Sequence, residues 1–259
     1  MSRLLILPAP LASSSIALGQ IIADPIETPS ASFTPKSRPI CAAPSTQMKY
    51  QNIIAHDENG RFLRSTSVHT YSALDELVQL TADASTHTAL ANPKASFNSL
   101  RTDAAAQAFL RRSKSLRQPL YYVTGIQTLR NPSFKPLSDT TTANATRIPM
   151  KRVDSAIHLE TIYEDTKPST SESIFAVELL KVRCRVGLAS DPHSIDDVDF
   201  VWSYHSLGDD TQLCVGLGAA LNVAELRALA GLESDEVSLN SSLSLDSEYS
   251  DEDEGFGGL

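Results

Sequence analysis

Along most of the chain apolar and polar residues alternate, and only three short stretches show the three-and-four spacing of a helix. Residues 49–68, KYQNIIAHDENGRFLRSTSV, offer two β-forming arms around Asn59 and Gly60. That dipeptide suits a tight hairpin turn, where both positions take positive φ, and Arg61 and Arg64 fall on the second arm. YSALDELVQL (71–80) then predicts a helix, with Leu74, Leu77 and Val78 at helical spacing and Ser72 as its N-cap. A second helix is predicted over about 99–114, where DAAAQAFLRR joins strong helix formers to a basic last turn. A strand over 120–130 follows, and a Ser/Thr-rich, Pro-bounded spacer over 131–147 separates it from a second β-like stretch, IPMKRVDSAIHLETIYE.

SIFAVELLKVRCRVGL, 173–188, is the longest alternating run. With a period of two, Ile174, Ala176, Leu180, Val182, Cys184, Val186 and Leu188 share one face, interrupted only by Glu178. The other face carries Phe175, Val177 and Leu179, then the cations Lys181, Arg183 and Arg185. VDFVWSYHSL places Val198, Phe200, Trp202 and Tyr204 on one face and predicts a core strand. In NVAELRALAG, Asn222 and Glu225 form a capping box that starts a last helix, with Gly231 at its C-terminal end. Hairpin signals outnumber strand–helix–strand units, so the pattern predicts an α+β chain with a mainly antiparallel sheet.

Charge changes the picture at the end of the chain. The net charge is -9, yet residues 233–259 hold nine acidic side chains and no Lys or Arg. Removing those nine from the 31 Asp and Glu leaves 22 acidic against 22 basic residues, so the body is neutral. The expected division is therefore a folded unit over 1–232 and an acidic disordered tail over 233–259. Residues 1–46 hold seven prolines and predict extended chain draped over the fold. Pro8 and Pro10 interrupt the apolar run of Leu4 to Leu7, which speaks against a secretory signal. Cys41, Cys184 and Cys214 are odd in number and widely spaced, against a disulfide framework or a zinc site and in keeping with a reducing, cytoplasmic location. No apolar run reaches the length of a transmembrane helix, so any membrane contact would be peripheral or made by β-hairpins.

Catalytic constellations are not evident. His158 and His205 lack a neighbouring nucleophile or orienting group, and GLGAAL (216–221) lacks the third glycine and the acidic residue of a dinucleotide fingerprint. No cofactor, metal or nucleic acid is expected. Two features leave alternatives open. Arg111, Arg112, Lys114 and Arg117 either complement a helix dipole in water or meet a phosphate surface. The 173–188 strand is long enough to cross a bilayer, about 9–11 tilted residues, and equally fits a half-buried strand whose Lys181, Arg183 and Arg185 face water.

The order FLRRSKSLRQPLYYVTGIQTL, a polar spacer, a second strand and STSESIFAVELLKVRCRV resembles the pore-forming domain of gasdermins over about residues 15–230. DFVWSYHSL and YYVTGIQTL look like the fungal gasdermin-like regulators of cell death. The resemblance implies a twisted, mainly antiparallel sheet with surrounding helices, and a non-enzymatic protein that binds acidic phospholipids, oligomerises and permeabilises membranes. It implies a first inserting hairpin over about 47–70, around Asn59, Gly60, Arg61 and Arg64, and a second using about 120–188. In the latter, Val182, Cys184, Val186 and Leu188 would face lipid, with Lys181, Arg183 and Arg185 on the polar side. Arg111, Arg112, Lys114 and Arg117 match the family's basic junction at lipid headgroups. Animal gasdermins carry a large C-terminal repressor domain, whereas only 27 residues follow the last predicted helix here. The implied trigger is removal of a small tail or contact with a divergent homologous variant, as in fungal allorecognition and heterokaryon incompatibility. Relocation from cytoplasm to plasma membrane would follow. The competing expectation is a non-lytic, soluble interaction module whose acidic tail binds a basic partner.

Overall fold

The computed structural model describes residues 4–26, 31–56, 62–65, 76–136, 171–191, 193 and 198–229. They form one large antiparallel sheet, richer in strand than the expected sheet with surrounding helices, and short helices pack against it. In chain order the strands are β1 (Leu5–Ala12), β2 (Ile21–Ile22), β3 (Ser32–Phe33), β4 (Ser45–His56), β5 (Phe62–Ser65), β6 (Glu76–Ala89), β7 (Leu120–Arg130), β8 (Ser133–Pro136), β9 (Glu172–Leu188), β10 (Val201–Gly208) and β11 (Thr211–Ala220). The helices are α1 (Pro93–Leu100), α2 (Ala104–Ser115) and α3 (Val223–Leu229). The main path runs β10-β11-β9-β7-β6-β4-β5.

β9 is the hub. Its first half lies between β1 and β7, with Leu5 opposite Val177 and Ile126 opposite the same residue. Its second half pairs with β11 from Leu180 to Leu188. β7 begins at Leu120, which pairs with Val182. Past Val182 the β7 side of β9 therefore has no partner strand among the described residues, and the sheet has a notch there.

Both sheet faces are covered. On one, Phe97 and Leu100 of α1 and Ala106 and Leu110 of α2 pack on Leu120, Tyr122, Val182, Cys184 and Val215. The Phe97 and Tyr122 rings meet edge-on at 5.0 Å, and the Tyr122 hydroxyl donates to Ser96 Oγ at 2.9 Å. On the other, Leu5, Leu7, Val123, Val177 and Leu179 pack with Leu221 and with Leu226 of α3. Asn222 and Glu225 make the expected capping box: Asn222 N donates to Glu225 Oε2 at 2.9 Å and Glu225 N to Asn222 Oδ1 at 2.8 Å.

Several expectations are corrected. Residues 76–80 are strand rather than helix: the alternation Val78, Leu80, Ala82, Ala84 buries one face over the first part of β6, and pairing with β4 overrides the short helical spacing. The glycine-rich GLGAAL belongs to β11, an element the alternation did not disclose. β10 is an edge strand and not a core strand, with Tyr204 54% exposed. The strict period of two in β9 fails at Phe175, where the register slips between Gln127 and Thr128 of β7. Ile174 and Val177 consequently share one cluster while Phe175 and Ala176 join another. The Pro-rich N-terminus does more than drape, since β1 and β2 join the sheet and bury Leu5, Leu7, Ile21 and Ile22.

Candidate functional site

The notch beside β9 is where the two cationic stretches meet. α2 starts on Asp103, whose carboxylate accepts from Ala105 N at 2.6 Å and Ala106 N at 3.3 Å. It ends in a left-handed cap: Arg117 N donates to Lys114 O at 3.0 Å and Gln118 N to Ser113 O at 3.2 Å. These are the two bonds of a Schellman motif, which normally places glycine at the left-handed position. Here that position is Arg117, with φ 54°. Arginine at this position carries the steric cost that glycine would avoid.

A cavity of about 500 Å³ fills the notch. Lys114 and Arg117 line it from the helix end, and Lys181 and Arg183 from β9, together with Gln118, Tyr121 and Phe200. Val182 and Cys184 also line it from the face of β9 that packs under α2. Cations thus reach one opening from both faces of the sheet, where β7 begins only at Leu120. Lys181 Nζ donates to Glu225 Oε1 at 2.9 Å, tying α3 to the rim. Burial pushes the Glu225 carboxyl up, but the Asn222 backbone N–H and the Lys181 ammonium outweigh it and leave the group below its ordinary value. The Arg183 guanidinium lies 5.1 Å from the Phe200 ring centre. Burial raises the Cys184 thiol to about 12 despite the opposing Lys114 charge.

The predicted headgroup cations are all exposed on the α2 end, yet only Lys114 and Arg117 reach the cavity, while Arg111 and Arg112 lie a turn earlier. Of the β9 polar face, Lys181 and Arg183 join them. Arg185 turns to Asp191 instead, with Nη2 donating to the Asp191 carbonyl at 2.8 Å. Of the apolar face, Val182 and Cys184 are core, while Val186 and Leu188 emerge at 40% and 50% exposure. The arms of the first hairpin pair as expected, Ala55 with Arg64 and His56 with Phe62. Its turn, Asn59, Gly60 and Arg61, lies outside the described residues, as do His158, the 148–164 stretch and the acidic tail.

Sequence reasoning registered Glu178 only as a break in the pattern. It is buried, and Gly125 of β7 makes room for it: a Cβ at 125 would lie 2.6 Å from Glu178 Oε2. The carboxylate leans across β7 and sets Oε1 3.2 Å from His87 Nε2 on β6. The glycines of GLGAAL have a similar use, since a Cβ at Gly216 would meet Trp202 at 3.1 Å and one at Gly218 would meet Phe200 at 2.5 Å.

No family model matches the chain, and no curated protein matches it. Among solved structures, the chain is similar to a bacterial gasdermin from Bradyrhizobium tropiciagri. The two are 16% identical, the match covers 70% of this chain and 82% of that one, and the TM-score is 0.30. Among the described residues no helix is long and apolar enough to cross a membrane, and no His, Cys, Asp and Glu cluster could hold a metal.

Proposed function

We propose that this chain is a pore-forming protein that binds acidic phospholipids, oligomerises and permeabilises membranes in regulated cell death. The observation that carries the reading is the notch, where Lys114 and Arg117 from a helix end and Lys181 and Arg183 from a long strand surround one cavity. Dispersed surface cations would suit water alone, whereas cations converging from two elements on a common opening suit a phosphate group. The motif order that resembles gasdermins supplies the second step, in which hairpins built from β4–β5 and from β7 and β9 extend into the bilayer. Within that reading the acidic lipid lies in the plasma membrane, the protein moves there from the cytoplasm, and a divergent homologous variant or tail removal sets it off, as in fungal allorecognition.

The test is dye release from liposomes with and without anionic lipid, with this chain alone and then mixed with a divergent homologue. Leakage that requires anionic lipid is expected. Reversing Arg111, Arg112, Lys114 and Arg117 to Glu should abolish binding while circular dichroism stays unchanged. A folded protein that neither binds nor permeabilises anionic liposomes under either condition would leave the soluble interaction module as the better account.

A further inference from the structure

We infer that β1 is a clasp that holds the two hairpins of the proposed pore together in water, and that the pore opens only when β1 lifts off β9. The inference rests on the pore-forming reading above and names the contact that keeps the soluble form closed. β7 and β11 both pair with Leu180 and Val182 of β9, so they occupy its two edges. β7 continues along its own edge to Glu172, and β1 takes the other edge from Val177 to Ser173, in line with β11. β5 ends the main path of the sheet yet lies alongside β1, so the sheet curls until its end strand meets the clasp. The side chains of β1 reach both layers. Leu5 and Leu7, buried, join Val177 and Leu179 in one cluster. Ile6 packs against another, which holds Ile54 of β4 with Phe175 and Ala176 of β9. One strand therefore ties β4 and β5 to β9.

The tie is strong in side chains and weak in backbone. β1 meets β9 at Leu5 and Ile6, opposite Val177 and Ala176, and again at Leu11 and Ala12, opposite Ile174 and Ser173. Between them Leu7, Pro8, Ala9 and Pro10 stand against Phe175 alone, and the two prolines have no N–H to give a ladder. β9 is the one strand paired with β1 among the described residues. Every side chain of β1, LILPAPLA, is apolar, so none loses a hydrogen bond or an ion pair when the strand lifts. Buried leucines hold well in water and lose that hold in an apolar medium, whereas an unbroken ladder persists in hydrocarbon. A bilayer is thus the surrounding in which this clasp lets go. The chain beyond β1 supplies the hinge. Ser13 and Ser14 are exposed, while Ile16 is buried and Gly19 N donates to Val123 O at 2.9 Å.

A reversible lock tests the clasp. Ile6→Cys with Ala176→Cys, made in a full-length Cys41→Ser chain, puts two thiols on directly opposed residues of one cluster. Opposed Cβ atoms lie about 4.5–5.5 Å apart, near the closing distance of a disulfide. The oxidised protein should co-sediment with phosphatidylserine vesicles as the reduced protein does, yet lose dye release, and a reductant should restore it. Leu11→Ala trims a partly buried contact of the clasp and should instead speed release severalfold with unaltered circular dichroism. Equal release from the oxidised and reduced forms would overturn the clasp and leave the pore-forming reading standing. Slower release from Leu11→Ala than from wild type would overturn it as well. Absence of release from wild type and reduced protein alike would overturn both.

Discussion

Arg117 offers a direct test of whether a strained residue is retained for binding. Its backbone is left-handed, φ 54°, in a cap that glycine would fill without a Cβ clash. For an L-residue that conformation costs about 1–2 kcal/mol. Glycine avoids the cost but gives back about 0.5–1 kcal/mol through the extra freedom of its unfolded chain. Arg117→Gly and Arg117→Ala both lose the cation and its interaction with the helix C-terminus, so their difference isolates the backbone. The glycine variant should be the more stable by about 1 kcal/mol, roughly 2–4 °C in Tm for a domain of this size. Both variants should bind anionic vesicles about fivefold more weakly than wild type, the loss of about 1 kcal/mol for one cation. Thermal unfolding followed by circular dichroism and vesicle co-sedimentation read the two quantities separately. Equal stability of the two variants would refute the strain argument. Wild-type binding by both would refute a headgroup contact by Arg117.

Four further outcomes are expected. Val186→Asp, at a position 40% exposed, should leave the soluble fold within about 0.5 kcal/mol of wild type and still block dye release, whereas Val182→Asp, 7% exposed, should unfold the protein. Gly125→Ala should cost about 1–3 kcal/mol in urea denaturation by displacing Glu178, and Glu178→Ala in the same chain should recover part of it. The Lys181–Glu225 tie should contribute stability above the ordinary carboxylate range and lose it as pH falls through the depressed Glu225 value, an effect absent from Glu225→Gln in acid melts. Deleting residues 233–259, with nine carboxylates, should increase binding to anionic vesicles, most at low salt where the Debye length is well beyond about 8 Å. The gain should shrink when Lys114 and Arg117 are neutralised if tail and notch act on each other.

Local signals were legible wherever one element decides its own structure. The capping box of Asn222 and Glu225, the basic end of α2 and the alternation of β9 from Lys181 to Arg185 appear as read. α1 was overlooked although its start is written in Asn92 and Pro93: the Asn92 side chain accepts from Ala95 N at 3.0 Å, and only Phe97 and Leu100 are buried along it. β6 was misread because Leu74, Leu77 and Val78 match a helix over one turn, while the deciding alternation starts at Val78 and depends on β4. β11 was hidden because Gly216 and Gly218 interrupt the alternation for the sake of residues on another strand. The notch could not be read at all from spacing. It depends on β7 beginning opposite Val182, a register fact that joins positions 114 and 117 to 181 and 183.

The same register bears on how β9 could leave this sheet. It contributes to all three apolar clusters, through Val182 and Cys184, through Val177 and Leu179, and through Phe175 and Ala176. Withdrawing it would expose each of them, so spontaneous extension in water is strongly opposed by the hydrophobic effect. The opposition is not uniform along the strand. At its centre Glu178 is buried with Oε1 and His87 Nε2 in contact but aligned too poorly for a hydrogen bond, a burial that costs about 1–3 kcal/mol. At its end, Val186 and Leu188 are already exposed, β11 is the one strand paired with it among the described residues, and Leu188 N donates to Asp191 Oδ2 at 2.8 Å. Extension in the proposed pore would therefore begin at Leu188, beyond the cationic notch at 181–184, and reach the Glu178 defect only after the notch had engaged lipid. A lipid-bound state that protects β9 amides from hydrogen exchange evenly from Glu172 to Leu188 would contradict this order. Protection lost first over 183–188 would support it.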